Sequence, residues 1–435
     1  MLSQLAFRRV DRGAATMRGP MKIRDVVYSV GRSAFMNKDL AAIKGGAKPN
    51  GSIFDGEPVL PGFTRVMQPG IVISVMFILE DGSIAHGDCA DVILTGYAGR
   101  DPLFRAEDHL DYLRGEIREQ LIGRDISTFS ALAESMDSHR HEGKRLHTAV
   151  RYGLTQALLS AAALSNRITM AEVVAKEYGC AISDSPIPIL ASIHKDDEGQ
   201  LDRMVLKRIA LLPHASFQVV ERDIGLKGEK LVAYAAHLSK RIREIRDPDY
   251  QPRLHFDVYG TLGELFGSDI DALTDYIGKV SEAASPFKVL IESPLIAKTQ
   301  DQQIETFLKI RAALKRKGIE VGIIADEWAN TLEDIKRFAN EDAADFVQIK
   351  TPDLGGINNS IEAVLYCKAQ GMGCCLGGTA NETDISARVT TNIALATKPD
   401  FMLSKPGLGG DEAVMIQTNE MARTLALIDW GIRAS

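Results

Sequence analysis

The sequence predicts an α/β chain in which a closed (β/α) barrel follows a smaller α+β unit. Three observations carry this. From Pro186 onward, short apolar runs alternate with amphipathic stretches, the pattern of consecutive βα units. Three of those runs end in an acid, Asp257, Glu292 and Asp326, at separations of 35 and 34 residues, each about one strand, helix and return. No strand followed by G-x-G-x-x-G and a helix is present, which ranks a doubly wound open sheet behind the barrel.

Composition bounds the rest. The chain has 435 residues, 45% of them hydrophobic and 25% charged, with ordinary Gly and Pro usage, which excludes collagenous, low-complexity and disordered classes. Its 58 acids against 51 Lys and Arg give a net charge of −7, leaving no basic excess for a nucleic-acid backbone or an anionic membrane. A small-molecule partner is expected. Cys89, Cys180, Cys367, Cys374 and Cys375 form no C-x-x-C pair, so neither a disulfide framework nor a structural zinc site is indicated, and a reducing, cytoplasmic setting is expected. No apolar run approaches the roughly 20 residues of a membrane helix.

Along the chain, residues 1–20 carry Arg8, Arg9, Arg12 and Arg18 with Asp11 as the sole acid. They read as an irregular N-terminal extension, compatible with a transit peptide, a frayed tail or an upstream start, and receive no function. Residues 21–185 form the α+β unit. Asp25–Val30 and Ile71–Leu79 are strands, and the second turns through Glu80-Asp-Gly-Ser into Ile84-Ala-His-Gly-Asp as a hairpin. Phe35–Phe63 shows no period and reads as a long loop, either a lid or a mobile surface segment. Asp101-Pro102 reads as a helix cap followed by proline, with Leu110, Leu113, Ile117 and Leu121 at helical spacing; Leu146–Leu164 and Met170–Tyr178 continue the helical pattern.

Residues 186–410 make the barrel. Its strands are placed at Ile187–Ile193, Leu254–Tyr259, Val289–Glu292, Val321–Asp326, Phe346–Lys350, Cys374–Gly377 and Phe401–Lys405, and one more at Phe217–Val220 brings the count to eight. Helices fall at Glu229–Ile245, Ile270–Ala284, Asp301–Lys317, Leu332–Asn340, Ile361–Gln370 and Ser386–Ala396. Residues 411–435 close the chain with a helix at Glu412–Leu427.

In a barrel the carboxyl ends of all strands share one face, so Asp257, Glu292 and Asp326 converge there. Read singly, each acid could cap a helix or pair with a cation. Together they would repel one another unless a cation held them, and all-oxygen ligation with room for water and substrate suits Mg²⁺. Gln348 and Lys350, two apart on the next strand, point to the same side. A lysine near a divalent cation and shielded from water has its pKa lowered and becomes a candidate base; the bland alternative is a surface lysine in an ion pair. His214, between helix-like and strand-like segments, reads by itself as a core or surface histidine, and so do His194 and His255. Gly377-Gly378-Thr379 could offer backbone N–H groups to an anion, though it lacks the lysine and serine of a phosphate loop.

Several strings resemble one family closely: His86-Gly-Asp-Cys, Gly99-Arg-Asp-Pro-Leu-Phe, Arg145-Leu-His-Thr-Ala-Val-Arg-Tyr-Gly, Phe256-Asp-Val-Tyr-Gly-Thr, Ala325-Asp-Glu-Trp, Val347-Gln-Ile-Lys-Thr-Pro-Asp-Leu-Gly-Gly and Lys405-Pro-Gly. The family is methylaspartate ammonia-lyase, of the enolase superfamily. The resemblance implies an α+β capping domain over a modified TIM-type barrel, and a homodimer. It makes Asp257, Glu292 and Asp326 Mg²⁺ ligands, Lys350 and His214 bases on opposite faces of the substrate's C3, and Gln348 a ligand to the metal-bound carboxylate. Thr379 would hold the second carboxylate and Leu403 would line the pocket near the alkyl group. The implied reaction is loss of ammonia, or an amine, from 3-methylaspartate or a related substituted aspartate, giving mesaconate or a related unsaturated dicarboxylate through an enolate-type intermediate. Epimerisation or dehydration of a dicarboxylic acid is the alternative within the superfamily.

The chain departs from the family pattern at four positions. Ile93 and Ser192 stand where glutamines surround the amino group, Ala380 where the family has cysteine, and Cys375 where it has tyrosine. An ammonium group buried there would lose polar partners at a cost on the order of a few kcal/mol, so altered recognition at C2 is expected.

Overall fold

Eight parallel strands pair in chain order and the eighth returns to the first, so the barrel sheet has no edge. In order they are Ile189–Leu190, Leu211–Ser216, Arg253–Asp257, Val289–Glu292, Val321–Ala325, Phe346–Ile349, Gly373–Leu376 and Phe401–Leu403. This is a computed structural model, and it describes residues 21–434 except Ser52, Ala98 and Gly409; the expectation for residues 1–20 lies outside the described residues. Because side chains alternate along each strand, one set fills the barrel and the other packs under the helices. Leu190, Leu211, Leu290, Ile324, Cys375 and Phe401 form the interior plug, on whose upper side the polar residues of the mouth stand.

The helices Glu229–Ile245, Ile270–Ala284 and Leu332–Asn340 match the sequence reading, while Gln300–Lys317, Ile357–Gln370 and Asp384–Thr397 start earlier than expected. Caps explain two of the earlier starts: the Thr299 side chain accepts from Gln302 N–H, and Thr383 forms a reciprocal capping box with Ser386. The closing helix is Gly410–Ala434. Among the described residues no helix is long and apolar enough to cross a membrane.

Ahead of the barrel, Ile23–Lys38, Met67–Leu79 and Ile84–Cys89 make a three-stranded antiparallel sheet. The helix Thr148–Asn166 lies across it in backbone contact: a Cβ added at Gly87 would meet Gly153 O at 2.1 Å and Ala157 N at 2.6 Å. No larger side chain fits at that crossing without movement. The helix Met170–Tyr178, opened by a Thr169/Glu172 capping box, sits at the end of this unit.

Four expectations need correction. The second barrel strand is Leu211–Ser216, not Phe217–Val220, and Val220–Ile224 is a wide helical turn. Proline lacks the ladder N–H, which made the run unlike a strand; a register shift sets Pro213 and His214 together against His255, a bulge where that N–H is not needed. Asp101 caps a different helix: its carboxylate accepts from Thr148 N–H at 2.8 Å, while helical turns after Pro102 begin only at Ala106. Phe35–Phe63 is not structureless, since it completes the strand to Lys38 and adds the helix Leu40–Lys44 and the hairpin Lys48–Asn50/Ile53–Asp55. The first barrel strand is shorter than expected, and the helices Glu198–Leu206 and Thr261–Phe266 were not anticipated.

Candidate active site

Asp257 is the last residue of the third strand and Glu292 the last of the fourth, paired Cα to Cα across the ladder. Asp326 follows the fifth strand by one residue. All three are at most 2% exposed. Asp257, Glu292, Gln348 and Lys350 line one cavity of about 100 Å³ at the barrel mouth, together with His214, Ser192 and Thr379. Ala380, Leu403 and Ile93 complete the predicted set in its wall. Asp326 reaches it through the Lys350 ammonium, which donates to Asp326 Oδ2. Cys375 does not line the cavity but lies in the plug beneath it.

His214 sits on the bulged second strand and Lys350 just after the sixth. In an eight-stranded barrel these positions are four strands apart, on opposite sides of the mouth. Ser192 Oγ lies 3.3 Å from His214 Nδ1, so this hydroxyl touches a candidate base. Thr379 Oγ1 accepts from Ile93 N–H at 3.2 Å, joining the capping unit to the seventh-strand loop. The Leu403 carbonyl accepts from Gln417 Nε2 at 2.9 Å, tying the closing helix to the pocket wall.

Electrostatics follow from burial. Asp257 is pushed well above the usual carboxylate range by burial and by the charges of Glu292, Glu327 and Asp326. Asp326 is pushed up to about 7, chiefly by burial and with Glu327 and Glu292 adding to it, against the pull of Lys350 and Arg100. Burial also opposes the charge on Glu292, yet the imidazoles of His214 and His255 hold it low, with His255 Nε2 at 2.8 Å and His214 Nε2 at 3.5 Å. For Lys350, burial alone would lower the pKa, but the charge of the adjacent Asp326 more than offsets this and raises it.

The chemistry of the three acids suits a hard dication, although their oxygens do not all lie within 4.8 Å of one another. Three buried carboxylates repel one another, and Gln348 Oε1 is buried without a hydrogen-bond partner. All-oxygen ligands suit magnesium. Glu292 also belongs to a second group, with His214 and His255, whose ligand atoms lie within 4.8 Å of one another. That nitrogen-rich set is better suited to zinc-like ions.

Four residues of the site were not singled out as such from the sequence. His255 is two before Asp257, hence on the same strand face, and that spacing was the available signal. Arg100 reaches from the capping unit to Asp353 at 2.8 Å and Asn330 at 3.2 Å. Glu327, which accepts from the Ser293 hydroxyl, and Tyr259 complete the mouth. Tyr259, Ser293 and Trp328 hold positive φ of 46°, 50° and 67°, each one or two residues past a carboxylate. Such backbone persists only where the surroundings fix it.

A parallel barrel with acids on three consecutive strand ends, under a mixed capping domain, defines an enolase-like enzyme. Muconate lactonizing enzyme from Pseudomonas fluorescens shares this fold at 15% identity and TM-score 0.59, over 86% of this chain and 85% of that one. The family models for the methylaspartate ammonia-lyase N-terminus and C-terminus match residues 21–179 and 181–430. The chain belongs to the methylaspartate ammonia-lyase family, which are carbon–nitrogen lyases. It is 47% identical to methylaspartate ammonia-lyase of Clostridium tetanomorphum over 94% of this chain and 99% of that protein. It is 48% identical to methylaspartate ammonia-lyase 2 of Carboxydothermus hydrogenoformans over the same shares. The crystal structure of β-methylaspartase from Clostridium tetanomorphum, a Mg complex, superposes with TM-score 0.90 at 47% identity, covering 94% and 99% of the two chains.

Proposed function

We propose that this chain eliminates ammonia or an amine from 3-methylaspartate or a related substituted aspartate, giving mesaconate or a related unsaturated dicarboxylate. The observation that carries the reading is the placement of Lys350 and His214 on strands four apart, facing each other across a carboxylate-lined cavity. A substrate held between them presents a C–H bond to a base on either face.

Removing a proton beside a carboxylate places a second negative charge on that group, so catalysis must act on charge that develops only in the transition state. Asp257, Glu292 and Asp326 would hold Mg²⁺, which when bound supplies the positive charge that stabilises the enolate-like dianion. Lys350 Nζ takes the C3 proton of the threo substrate, and His214 Nε2 serves the opposite face. Gln348 orients the carboxylate next to the acids, and Thr379 Oγ1 meets the second carboxylate. Loss of the amine from C2 then forms the double bond.

Ile93 offers hydrocarbon where an ammonium group would need an acceptor, and the Ser192 hydroxyl is engaged with His214. This supports retention of the metal and base chemistry with altered recognition at C2. An absorbance assay for unsaturated dicarboxylates, run on 3-methylaspartate, N-alkyl aspartates and 2-hydroxy analogues with and without Mg²⁺, tests it. Magnesium-dependent product is expected. A clear preference for the unsubstituted amine would remove the altered-recognition part, and deuterium exchange at C3 without elimination would favour an epimerase.

A further inference from the structure

The cavity that holds the bases is not alone at the barrel mouth. Beside the 100 Å³ site lies a second cavity of about 240 Å³, and the two share Leu94, Arg100, Tyr259 and Glu327 in their walls. Beyond that partition the lining is largely apolar: Leu40 and Ile43 from the capping-domain helix, with Tyr97, Val219, Ile296 and Trp328. The Trp328 N–H is already spent on the Ala297 carbonyl at 3.0 Å, and the Lys44 ammonium rests over the Tyr97 ring at 5.8 Å. Tyr259 and Trp328 both hold left-handed backbone, so the surroundings fix this wall.

Size and polarity then select an occupant. The polar site is small, suited to a dicarboxylate core, whereas an apolar cavity of about 150 Å³ already accepts benzene. We infer that this annex receives an apolar alkyl or aryl group of about six carbons carried by the dicarboxylate on which Lys350 and His214 act. The inference rests on the proposed elimination and specifies its substrate class. Attachment through nitrogen or through C3 presents the same chemistry to the annex, and the two arms of the test separate them.

The experiment measures kcat/KM with Mg²⁺ for aspartates bearing methyl to hexyl groups, one series on nitrogen and one on C3. One series rises by about fourfold per methylene until the annex is full. Leu40→Phe and Val219→Phe each shrink the annex and lower the hexyl-to-methyl ratio at least tenfold; Val219 is 40% exposed, so its substitution tolerates the added bulk. Independently of turnover, Trp328 emission in a Trp430→Phe background shifts with the hexyl compound and not the methyl one. Turnover of 3-methylaspartate with no rise in either series and no Trp328 shift overturns the annex. No elimination from any compound, with the hexyl shift retained, overturns the elimination and leaves the annex standing.

Discussion

Lys405 and Glu382 form an ion pair with both side chains 0% exposed, and its disruption gives the sharpest test of how the site is held. Lys405 Nζ donates to Glu382 Oε1 at 3.0 Å, to the Gly377 carbonyl at 2.7 Å and to Thr351 Oγ1 at 3.1 Å. Glu382 also accepts from Thr379 N–H at 3.2 Å and, through its other oxygen, from the Tyr152 hydroxyl of the capping unit at 2.7 Å. The pair lies directly under the Gly377–Thr379 loop: a Cβ at Gly378 would meet Glu382 Oε1 at 2.1 Å and Lys405 Nζ at 2.6 Å. Lys405→Met leaves a buried carboxylate without its counter-charge, at an expected cost of about 3–5 kcal/mol. Combining it with Glu382→Gln removes both charges and keeps an acceptor for Tyr152. The double variant should therefore recover most of the loss, with about 1–2 kcal/mol remaining for the bond to Gly377. Denaturation midpoints followed by tryptophan emission give the cycle, and midpoints rather than extrapolated free energies are compared because a chain of this size need not unfold in two states. Lys405→Met should also raise KM more than it lowers kcat, since Thr379 rides on the loop. A single variant as stable as the parent, or a double variant no more stable than the single, refutes the reasoning.

Three further outcomes are expected. His109 stacks on Phe104 and shares a hydrogen bond with Tyr112, and burial with the charge of His147 lowers its pKa to about 4. The folded state then binds fewer protons than the unfolded one between pH 4 and the ordinary value near 6.5. Stability is therefore full above that window and falls as pH drops through it, by on the order of 3 kcal/mol, and His109→Gln flattens the profile in acid denaturation. Lys350→Ala abolishes turnover of the threo substrate while calorimetry still shows Mg²⁺ binding, whereas Asp257→Asn weakens that binding and removes the rise in melting temperature on adding Mg²⁺. Ile93→Gln restores an acceptor beside the amine, shifting kcat/KM toward unsubstituted 3-methylaspartate by about 10–100-fold in a competition assay.

Much of the site was legible because a βα repeat converts sequence spacing into spatial proximity. Acids 35 and 34 residues apart land on adjacent strand ends, and the two-residue period places Gln348 beside Lys350. His214 resisted the same logic, since a proline next to it disguised its strand and the bulge that tolerates proline exists only opposite His255. Arg100 and Tyr152 lay further out of reach, being residues of one unit that act on the other.

The sequence by itself determined the alternation of strands and helices, the carboxylates at strand ends and the lysine that follows them, because each depends on local period and repeat length. Tertiary structure alone decided that Asp326 stands against Lys350, that histidines lower the pKa of Glu292 while burial raises that of Asp257, and that the capping unit walls an apolar annex beside the bases. Those outcomes depend on burial and on distances between residues remote in the chain, and no spacing along the sequence encodes either quantity.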